Sequence, residues 1–280
     1  MKKFFALLAI CMLVLMTGCG GEDKTLAENK SQIKLGMIKH LNVTETLLDN
    51  YFEKAASRMS QTSDLYAPKH IFFDNMNSML AALQSGQIDA LSTYYSVSKY
   101  LIARNADLET VPNIPKVSDA FCCALRKEDD ALKKEFDDAL LKMTADGTLA
   151  KLAKTYIEDC DDNEPPAVEM PTFDGAPTIK IAVTGDLPPL DLVTADGKPA
   201  GFNTAVLAAI SQLIGKNFEI VDVDSGARAV ALTSKEVDVI FWVAVPQNDT
   251  LAPPDCDTPE GVILTEPYFT DEIAHVKLKK

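Results

Sequence analysis

Short apolar runs of strand length alternate with longer stretches of helical periodicity along most of the chain. Two such runs, Ile33–Ile38 and Ile179–Val183, each open a unit of similar pattern. A second strand is predicted further on in each unit, over His70–Phe73 and Phe218–Val223. Between the two strands, apolar residues at near-3.6 spacing predict an amphipathic helix. They are Leu47, Leu48, Tyr51, Phe52 and Ala55 in the first unit, and Val206, Leu207, Ile210, Leu213 and Ile214 in the second.

The two units also share a stretch of similar sequence. Residues 82–91, Ala-Leu-Gln-Ser-Gly-Gln-Ile-Asp-Ala-Leu, parallel residues 231–240, Ala-Leu-Thr-Ser-Lys-Glu-Val-Asp-Val-Ile. Each stretch ends a short helix and opens a strand, which completes a β-α-β-α-β unit. Short apolar strands of this kind are typical of buried parallel sheets. The repeat therefore predicts an α/β protein with two similar lobes, in which ligands bind at the carboxyl ends of the strands.

A third segment lies between the two units. Residues 120–125 are predicted to form a buried strand, and residues 132–143 form a helix that the Asp-Gly pair at 146–147 ends. Thr148 is predicted to cap a last helix. Residues 161–178 are rich in Asp, Glu and Pro, which is typical of a linker.

The first residues have the form of a secretory signal. Two lysines precede an apolar run that is shorter than the roughly 20 residues of a membrane span. The ending Met-Thr-Gly-Cys at 16–19 resembles a bacterial lipobox, in which the cysteine carries lipid. We therefore expect a signal peptide over 1–18 and a lipidated tether over 19–32 that begins at Cys19. The alternative is an ordinary signal with an incidental cysteine.

Composition narrows the classes of function. The chain has 280 residues, of which 47% are apolar and 24% charged, and this argues against disorder. Its formal net charge of −14 repels phosphate, so no nucleic-acid partner is expected.

An exported protein permits Cys160 and Cys256, both in Asp-rich stretches, to form a disulfide. The common enzyme motifs are absent from the sequence, and no cofactor or metal is expected.

Three stretches carry a resemblance to a known family. Residues 132–157, 179–203 (with Leu-Pro-Pro-Leu and Gly-Phe-Asn) and 266–269 (Glu-Pro-Tyr-Phe) resemble the extracellular solute-binding proteins of ABC importers, in particular the amino-acid-binding family 3. The resemblance implies a two-lobed periplasmic-binding-protein type II-like fold. It also implies a monomer that takes a small-molecule solute to an ABC permease from outside the cytoplasmic membrane.

The order of the segments differs from the family pattern. In the family, the segment like 179–280 precedes the segment like 33–160, so the chain resembles a circular permutant. Residues 33–115 then correspond to the family's second lobe and 116–280 to its first, and the linker 161–178 joins the old termini. Only the stretch near 111–119 is then expected to connect the lobes. The alternatives are that each half needs a partner from another chain, or that the halves are unrelated.

The resemblance also indicates candidate ligand-binding residues, although the chain departs from the family at several of them. The family's carboxylate-binding Arg is missing from the stretch that begins Pro246-Gln247, and its ammonium-binding Asp is missing near Tyr94. Leu190 stands where the family has an aromatic residue. The candidates are Asn42, Thr44, Tyr94, Asp186, Leu190, Arg228, Trp242 and Gln247.

Several candidates have a second interpretation. Thr44 also suits a helix N-cap, Trp242 also suits the core, and Arg228 and Asp186 also suit a solvated surface. The expected function is capture of a small polar solute, such as an amino acid, between the lobes. The alternatives are an exported enzyme of the cyclohexadienyl-dehydratase type, with Asp186 as a general acid, and a sensor that no longer transports.

Overall fold

A computed structural model describes residues 32–58, 68–112, 114, 116–160, 164–247 and 252–279. The predicted signal segment 1–18, Cys19 and nearly all of the predicted tether 19–32 lie outside the described residues. None of the helices in these ranges has the length and apolar character of a bilayer span.

The chain alternates strands and helices in the order that the sequence predicts. The strands are β1 Lys34–Ile38, β2 Lys69–Phe73, β3 Ala90–Tyr94, β4 Leu108–Thr110, β5 Ser118–Arg126, β6 Thr178–Val183, β7 Asp186–Leu187, β8 Asp191–Val193, β9 Pro199–Ala200, β10 Asn217–Asp222, β11 Val239–Pro246, β12 Val262–Leu264 and β13 Phe269–Leu278. The helices are α1 Glu45–Arg58, α2 Met76–Gln84, α3 Tyr95–Arg104, α4 Asp130–Ala145, α5 Thr148–Ala153, α6 Phe202–Ile214 and α7 Arg228–Thr233.

Ten strands form one continuous sheet made of two sections. Its order is β10-β6-β11-β5-β13-β3-β1-β2, with β12 beside β5 and β4 beside β13. We call the part that carries β1–β4 and α1–α3 the N-lobe, and the part that carries β5–β12 and α4–α7 the C-lobe. The strands β7, β8 and β9 form a small separate sheet in the C-lobe.

The two lobes repeat one arrangement at the predicted positions. In the N-lobe, Asp89 accepts a hydrogen bond from the backbone N–H of Lys34 at 2.9 Å, which holds the start of β1 beside β3. In the C-lobe, Asp238 accepts from the N–H of Lys180 at 3.0 Å, at the start of β6 beside β11. The shared aspartate of the repeat therefore anchors the first strand of each lobe.

Strand β13 crosses from one lobe to the other. Its first residues pair with β5, where Phe269 lies opposite Phe121, and its later residues pair with β3, where Ile273 lies opposite Tyr94. The chain also crosses between β4 and β5. The prediction that only the stretch near 111–119 connects the lobes is therefore wrong, because one strand is long enough to pair in both sections.

Aromatic side chains pack on the sheet, both at its edge strand β10 and at its centre. Phe136 of α4 stacks on Phe218 of β10, with ring centroids 5.6 Å apart. Phe121, at the middle of β5, is fully buried and meets Tyr94 of the N-lobe edge to face at 4.6 Å. Aromatic pairs of this geometry stabilise beyond the area that they bury, so Phe121 ties the core to the junction between the lobes.

Two local predictions differ from the structure. Thr148 is the first residue of α5 and not its cap; Gly147, with φ of 80°, precedes the helix. The predicted disulfide between Cys160 and Cys256 is not formed. Cys160 is buried and interacts electrostatically with Tyr100, whereas Cys256 lies in the loop before β12. The polar sequence around each cysteine gave no indication of these different surroundings.

Candidate functional site

A cleft lies between the lobes, where β1 and β3 end and β11 passes beside them. The space not filled by protein atoms amounts to about 570 Å³, part of it open to solvent. The N-lobe lines it with 37–40 and 92–94, and the C-lobe with Leu187, Arg228, 242–244 and Asp257. Asp119 of β5 and Ile273 of β13 also line it, at the place where these two paired strands pass from one lobe to the other. Ligand sites in proteins are commonly concave, apolar and lined by a few polar groups in this way.

Aromatic rings support the cleft. The Trp242 ring stacks on Phe121 with centroids 5.2 Å apart, and Tyr94 meets Trp242 edge to face at 5.7 Å. The pairing of β11 with β5 shifts between Phe241 and Val243, so Trp242 is the extra residue of a bulge. A bulge can redirect a side chain away from the ladder, which explains how Trp242 both packs in the core and lines the cleft.

Arg228 brings a buried positive charge to the cleft. Its Nη1 donates to the backbone carbonyl of Trp242 at 2.8 Å, and its guanidinium lies 5.5 Å from the centroid of the Trp242 ring. Burial lowers the pKa of Arg228, and the nearby carboxylates of Asp257 and Asp191 oppose that shift. Arg228 forms no ion pair with a carboxylate among the described residues. Such a cation can bind a carboxylate in bidentate fashion.

Four buried polar atoms of the cleft residues lack a hydrogen-bond partner within the described part of the chain. They are Arg228 Nε, Trp242 Nε1, Thr93 Oγ1 and His40 Nε2. An unpaired buried polar group costs about 1–3 kcal/mol, and most such groups in proteins are satisfied. Two of the four are obligate donors, so this part of the cleft is suited to a hydrogen-bond acceptor.

A carboxylate faces the same space. Burial raises the pKa of Asp119, whereas the hydrogen bond from Tyr94 Oη to its Oδ2, at 3.2 Å, lowers it. Burial, followed by the charge of Asp119, also raises the pKa of Tyr94 well above its usual value. The exposed Lys39 lies at the mouth of the cleft. The cleft therefore presents both a cation and an anion.

Asp257 closes one end of the cleft by joining the two lobes. It lies in the C-lobe loop between β11 and β12, and its carboxylate contacts the N-lobe loop between β1 and α1. The backbone N–H groups of Leu41, Asn42 and Val43 donate to it at 3.1, 2.7 and 3.0 Å. Its Oδ2 also lies 3.4 Å from Nδ1 of His40.

A second carboxylate joins the lobes at the start of α2. Asp186 accepts from the N–H of Met76 at 2.5 Å and from that of Asn77 at 3.4 Å. Burial raises the pKa of Asp186 to about 6, although these two hydrogen bonds lower it. The N–H of Ser225 also donates to the carbonyl of Asp74 at 3.0 Å. This contact lies outside the cleft that Arg228 and Trp242 line.

The structure brings three of the eight candidate residues to the cleft, namely Tyr94, Arg228 and Trp242. The solvated interpretation of Arg228 is wrong, because its side chain is only 3% exposed.

The other five lie elsewhere. Thr44 accepts from the N–H of Leu47 as the residue before α1, and Asn42 donates to the carbonyl of Cys256. Leu190 is fully buried, Gln247 is exposed, and Asp186 is held at α2. The side chains of these five residues therefore do not meet at one site.

The sequence interpretation missed Asp119 and Asp257. Asp119 is the second residue of the apolar strand β5, directly after the chain crosses between the lobes, and this is a weak signal. Asp257 stands in a Pro- and Asp-rich loop and shows no signal at all, because its role depends on a contact between lobes that are distant in sequence. The described residues contain no group of three or more His, Cys, Asp or Glu side chains placed to hold a metal ion.

Two α/β lobes, two crossing connections and a polar cleft between them define the two-domain periplasmic binding protein type II fold. The family model of bacterial extracellular solute-binding proteins, family 3, matches residues 67–159 and 179–246, together more than half of the chain. The chain belongs to this family, and it is a solute-binding protein of the ABC import type.

The solved structures to which the chain is similar are distant in sequence. The GluR0 ligand-binding core in complex with L-glutamate is 9% identical, with 90% of this chain and 86% of that chain covered and a TM-score of 0.39. A periplasmic substrate-binding protein of an ABC transporter from Coxiella burnetii is 15% identical, with 88% and 84% covered and a TM-score of 0.39. An ancestral arginine-binding protein bound to arginine is 13% identical, with 89% and 84% covered and a TM-score of 0.38. A search of curated proteins found no match.

Proposed function

We propose that the protein captures a small polar solute, an amino acid or a related compound, in the cleft between its lobes and delivers it to an ABC permease. The observation that carries this proposal is the set of unpartnered buried polar atoms on Arg228, Trp242, Thr93 and His40. A fold would not retain four such atoms in one cleft without a cost in stability. A bound solute would remove that cost.

The charges of the cleft support a zwitterionic solute. Its carboxylate would bind Arg228 and accept hydrogen bonds from Trp242 Nε1 and Thr93 Oγ1. Its amino group would bind near Asp119. The opposite charges fix both ends of the solute, and hydrogen bonds to charged groups contribute about 1.5–3 kcal/mol each.

The proposed carboxylate anchor does not take the position that the family resemblance implies. There the Arg follows the strand equivalent to β11, where this chain has the exposed Gln247. Arg228 precedes β11 and reaches the cleft from the start of α7. We propose that the cation moved to another element while its role was kept.

We also propose that the chain is circularly permuted, with the division at 33–115 and 116–280 that the sequence indicates. Two pairings support it: Val276 of β13 lies opposite Leu91 of β3, and Leu35 of β1 lies opposite Ala90. The last residues of β13 and the first residues of β1 therefore lie at the same end of their strands, with only β3 between them. Two strand spacings, about 10 Å, separate them. A short connection there would restore the family order.

The lipobox-like ending supports a lipid anchor at Cys19, with the protein held outside the cytoplasmic membrane. Substitution of Cys19 by Ser is expected to release the protein from the membrane fraction. Retention of the Ser variant at the membrane would contradict the anchor.

A thermal-shift screen across amino acids, their analogues, small peptides and cyclic acids tests the function. Amino acids or close analogues are expected to raise the melting temperature, and titration calorimetry should give one site. The same mixtures should be examined for product, since turnover would favour the exported-enzyme alternative. Stabilisation by none of these solutes would contradict the proposal.

A further inference from the structure

The N-lobe loop between β1 and α1 is built to hold a carboxylate. The N–H groups of three successive residues, 41–43, converge on one point directly before α1, a helix of 14 residues. Successive backbone N–H groups of this kind form concave anion-binding nests, and the positive end of a helix dipole adds to the attraction.

The group in that nest belongs to the protein itself. Asp257 is 5% exposed, and its two oxygens share the three N–H donors of the nest. Burial alone would raise the pKa of Asp257, but the hydrogen bonds of His40 and of the Val43 and Asn42 amides hold it below its usual value. The carboxylate is therefore ionised and pairs with the nest as a free carboxylate ligand would.

We infer that Asp257 is a built-in carboxylate ligand of the N-lobe. It occupies the nest, joins the lobes without solute, and excludes solute carboxylates from the nest. The nest and Asp257 come from different lobes, 214 to 216 residues apart in the chain. Their contact therefore draws the two walls of the cleft together.

The filled nest also restricts which solutes the cleft accepts, and this step rests on the proposed function. With the nest filled, the carboxylate of the solute must bind on the C-lobe side, at Arg228. Asp257 also acts electrostatically on Arg228 across the cleft. A simple anion bound there would meet the negative charge of Asp257, whereas a zwitterion brings an amino group that offsets it. The cleft should therefore prefer an amino acid to its desamino analogue.

Substitution of Asp257 by Ala, followed by titration with sodium acetate in the absence of solute, tests the inference. The Ala variant should show a larger radius of gyration by small-angle scattering, because the joint between the lobes is lost. Acetate should then bind in the emptied nest, with a dissociation constant near the millimolar range by calorimetry, and return the radius toward the wild-type value. Sodium chloride at equal ionic strength should not.

Asp255→Ala is the matched control, since Asp255 is an exposed aspartate of the same loop. Acetate that binds at Arg228 would appear equally in the control and the wild type, so only the excess in Asp257→Ala counts. Asp257→Asn, which keeps the shape and loses the charge, covers the case in which the Ala variant does not fold. It should give a radius above that of the wild type and weak excess acetate binding, because its amide oxygen holds the nest less tightly than a carboxylate does.

An unchanged radius in Asp257→Ala with no excess acetate binding would overturn the inference, as would a wild-type radius in Asp257→Asn. The titration uses no solute, so its failure leaves the proposed function standing. A solute screen without a hit would in turn leave the acetate result standing.

Discussion

Two buried threonines have different roles, one in solute binding and the other in the stability of the fold. Thr204 Oγ1 donates to the carbonyl of Ala200 at 3.0 Å, whereas Thr93 Oγ1, beside the cleft, has no partner among the described residues. Both side chains are buried. The hydroxyl of Thr204 therefore contributes to stability, and that of Thr93 is available to a solute.

Thr93→Val should lower the affinity for the solute about tenfold, because it removes one hydrogen bond worth about 1–2 kcal/mol. It should leave the free energy of unfolding unchanged or slightly higher. Thr204→Val should do the reverse, with a loss of about 1 kcal/mol in stability and no change in affinity. Calorimetric titration and urea unfolding measure the two quantities, and equal affinity losses in both variants would refute the assignment.

Asp191 gives the stability a predictable dependence on pH. Burial raises the pKa of Asp191 well above the usual range of an aspartate, to about 6, although Thr184 donates to its carboxylate twice and thereby lowers it. Between about pH 4 and pH 6 the folded protein keeps a proton that the unfolded chain has lost. The contribution of Asp191 to stability therefore falls as the pH rises through that window, by about 1.4 kcal/mol per unit.

Asp191→Asn should flatten this fall, measured as the free energy of unfolding in urea at pH 4.5 and at pH 6.5. Asp186, whose pKa is also raised to about 6, keeps part of the slope in the variant. Asp174→Asn, at an exposed turn position, serves as the control and should keep the full slope. A variant as steep as the wild type would show that Asp191 does not carry the effect.

At the scale of elements, the repeat explains why periodicity predicted so much of the fold. Strands and helices form from local patterns of apolar and polar residues, which a single sequence shows. Asp89 and Asp238 directly precede the equivalent strand in each lobe. The crossing of β13 and the bulge at Trp242 are set by pairing between distant segments. No local pattern carries that information.

The two aspartates differ in one contact, and this makes their substitution informative. Asp238 also pairs with the buried Arg126, whose Nη2 lies 2.9 Å from its Oδ1. Asp89→Ala should cost about 1 kcal/mol for the lost backbone hydrogen bond. Asp238→Ala should cost about 2–3 kcal/mol, since it also weakens the compensation of a buried cation. Equal losses in urea unfolding would contradict the account.

At the scale of the whole molecule, the candidate site depends on how the two lobes face each other across the cleft. Tyr94, Arg228 and Trp242 stand next to predicted strands or helix starts, so sequence reasoning could place them near the cleft. Asp119 and Asp257 act only because two lobes meet. Asn42 and Thr44 lie in the loop after β1, as the sequence indicates, but they line a neighbouring pocket that shares Lys39 and His40 with the cleft.

The order of segments can be tested by changing it. A variant in which Lys279 is joined to Gln32 by a four-residue Gly-Ser linker, and which is opened within 161–178, restores the family order. Four residues span about 13 Å, enough for the gap of about 10 Å. The variant should fold with a similar melting temperature and bind the same solute. Failure to fold would contradict the permuted arrangement.

The central claim is that a small solute is bound between the lobes by Arg228 and its neighbours. A crystal structure of the protein with the strongest solute from the screen tests it most directly. The account predicts the carboxylate of the solute within hydrogen-bonding distance of Arg228 and Thr93 Oγ1, and its amino group near Asp119, with Asp257 still in its nest. A solute bound away from this cleft, or oriented with its carboxylate remote from Arg228, would contradict it.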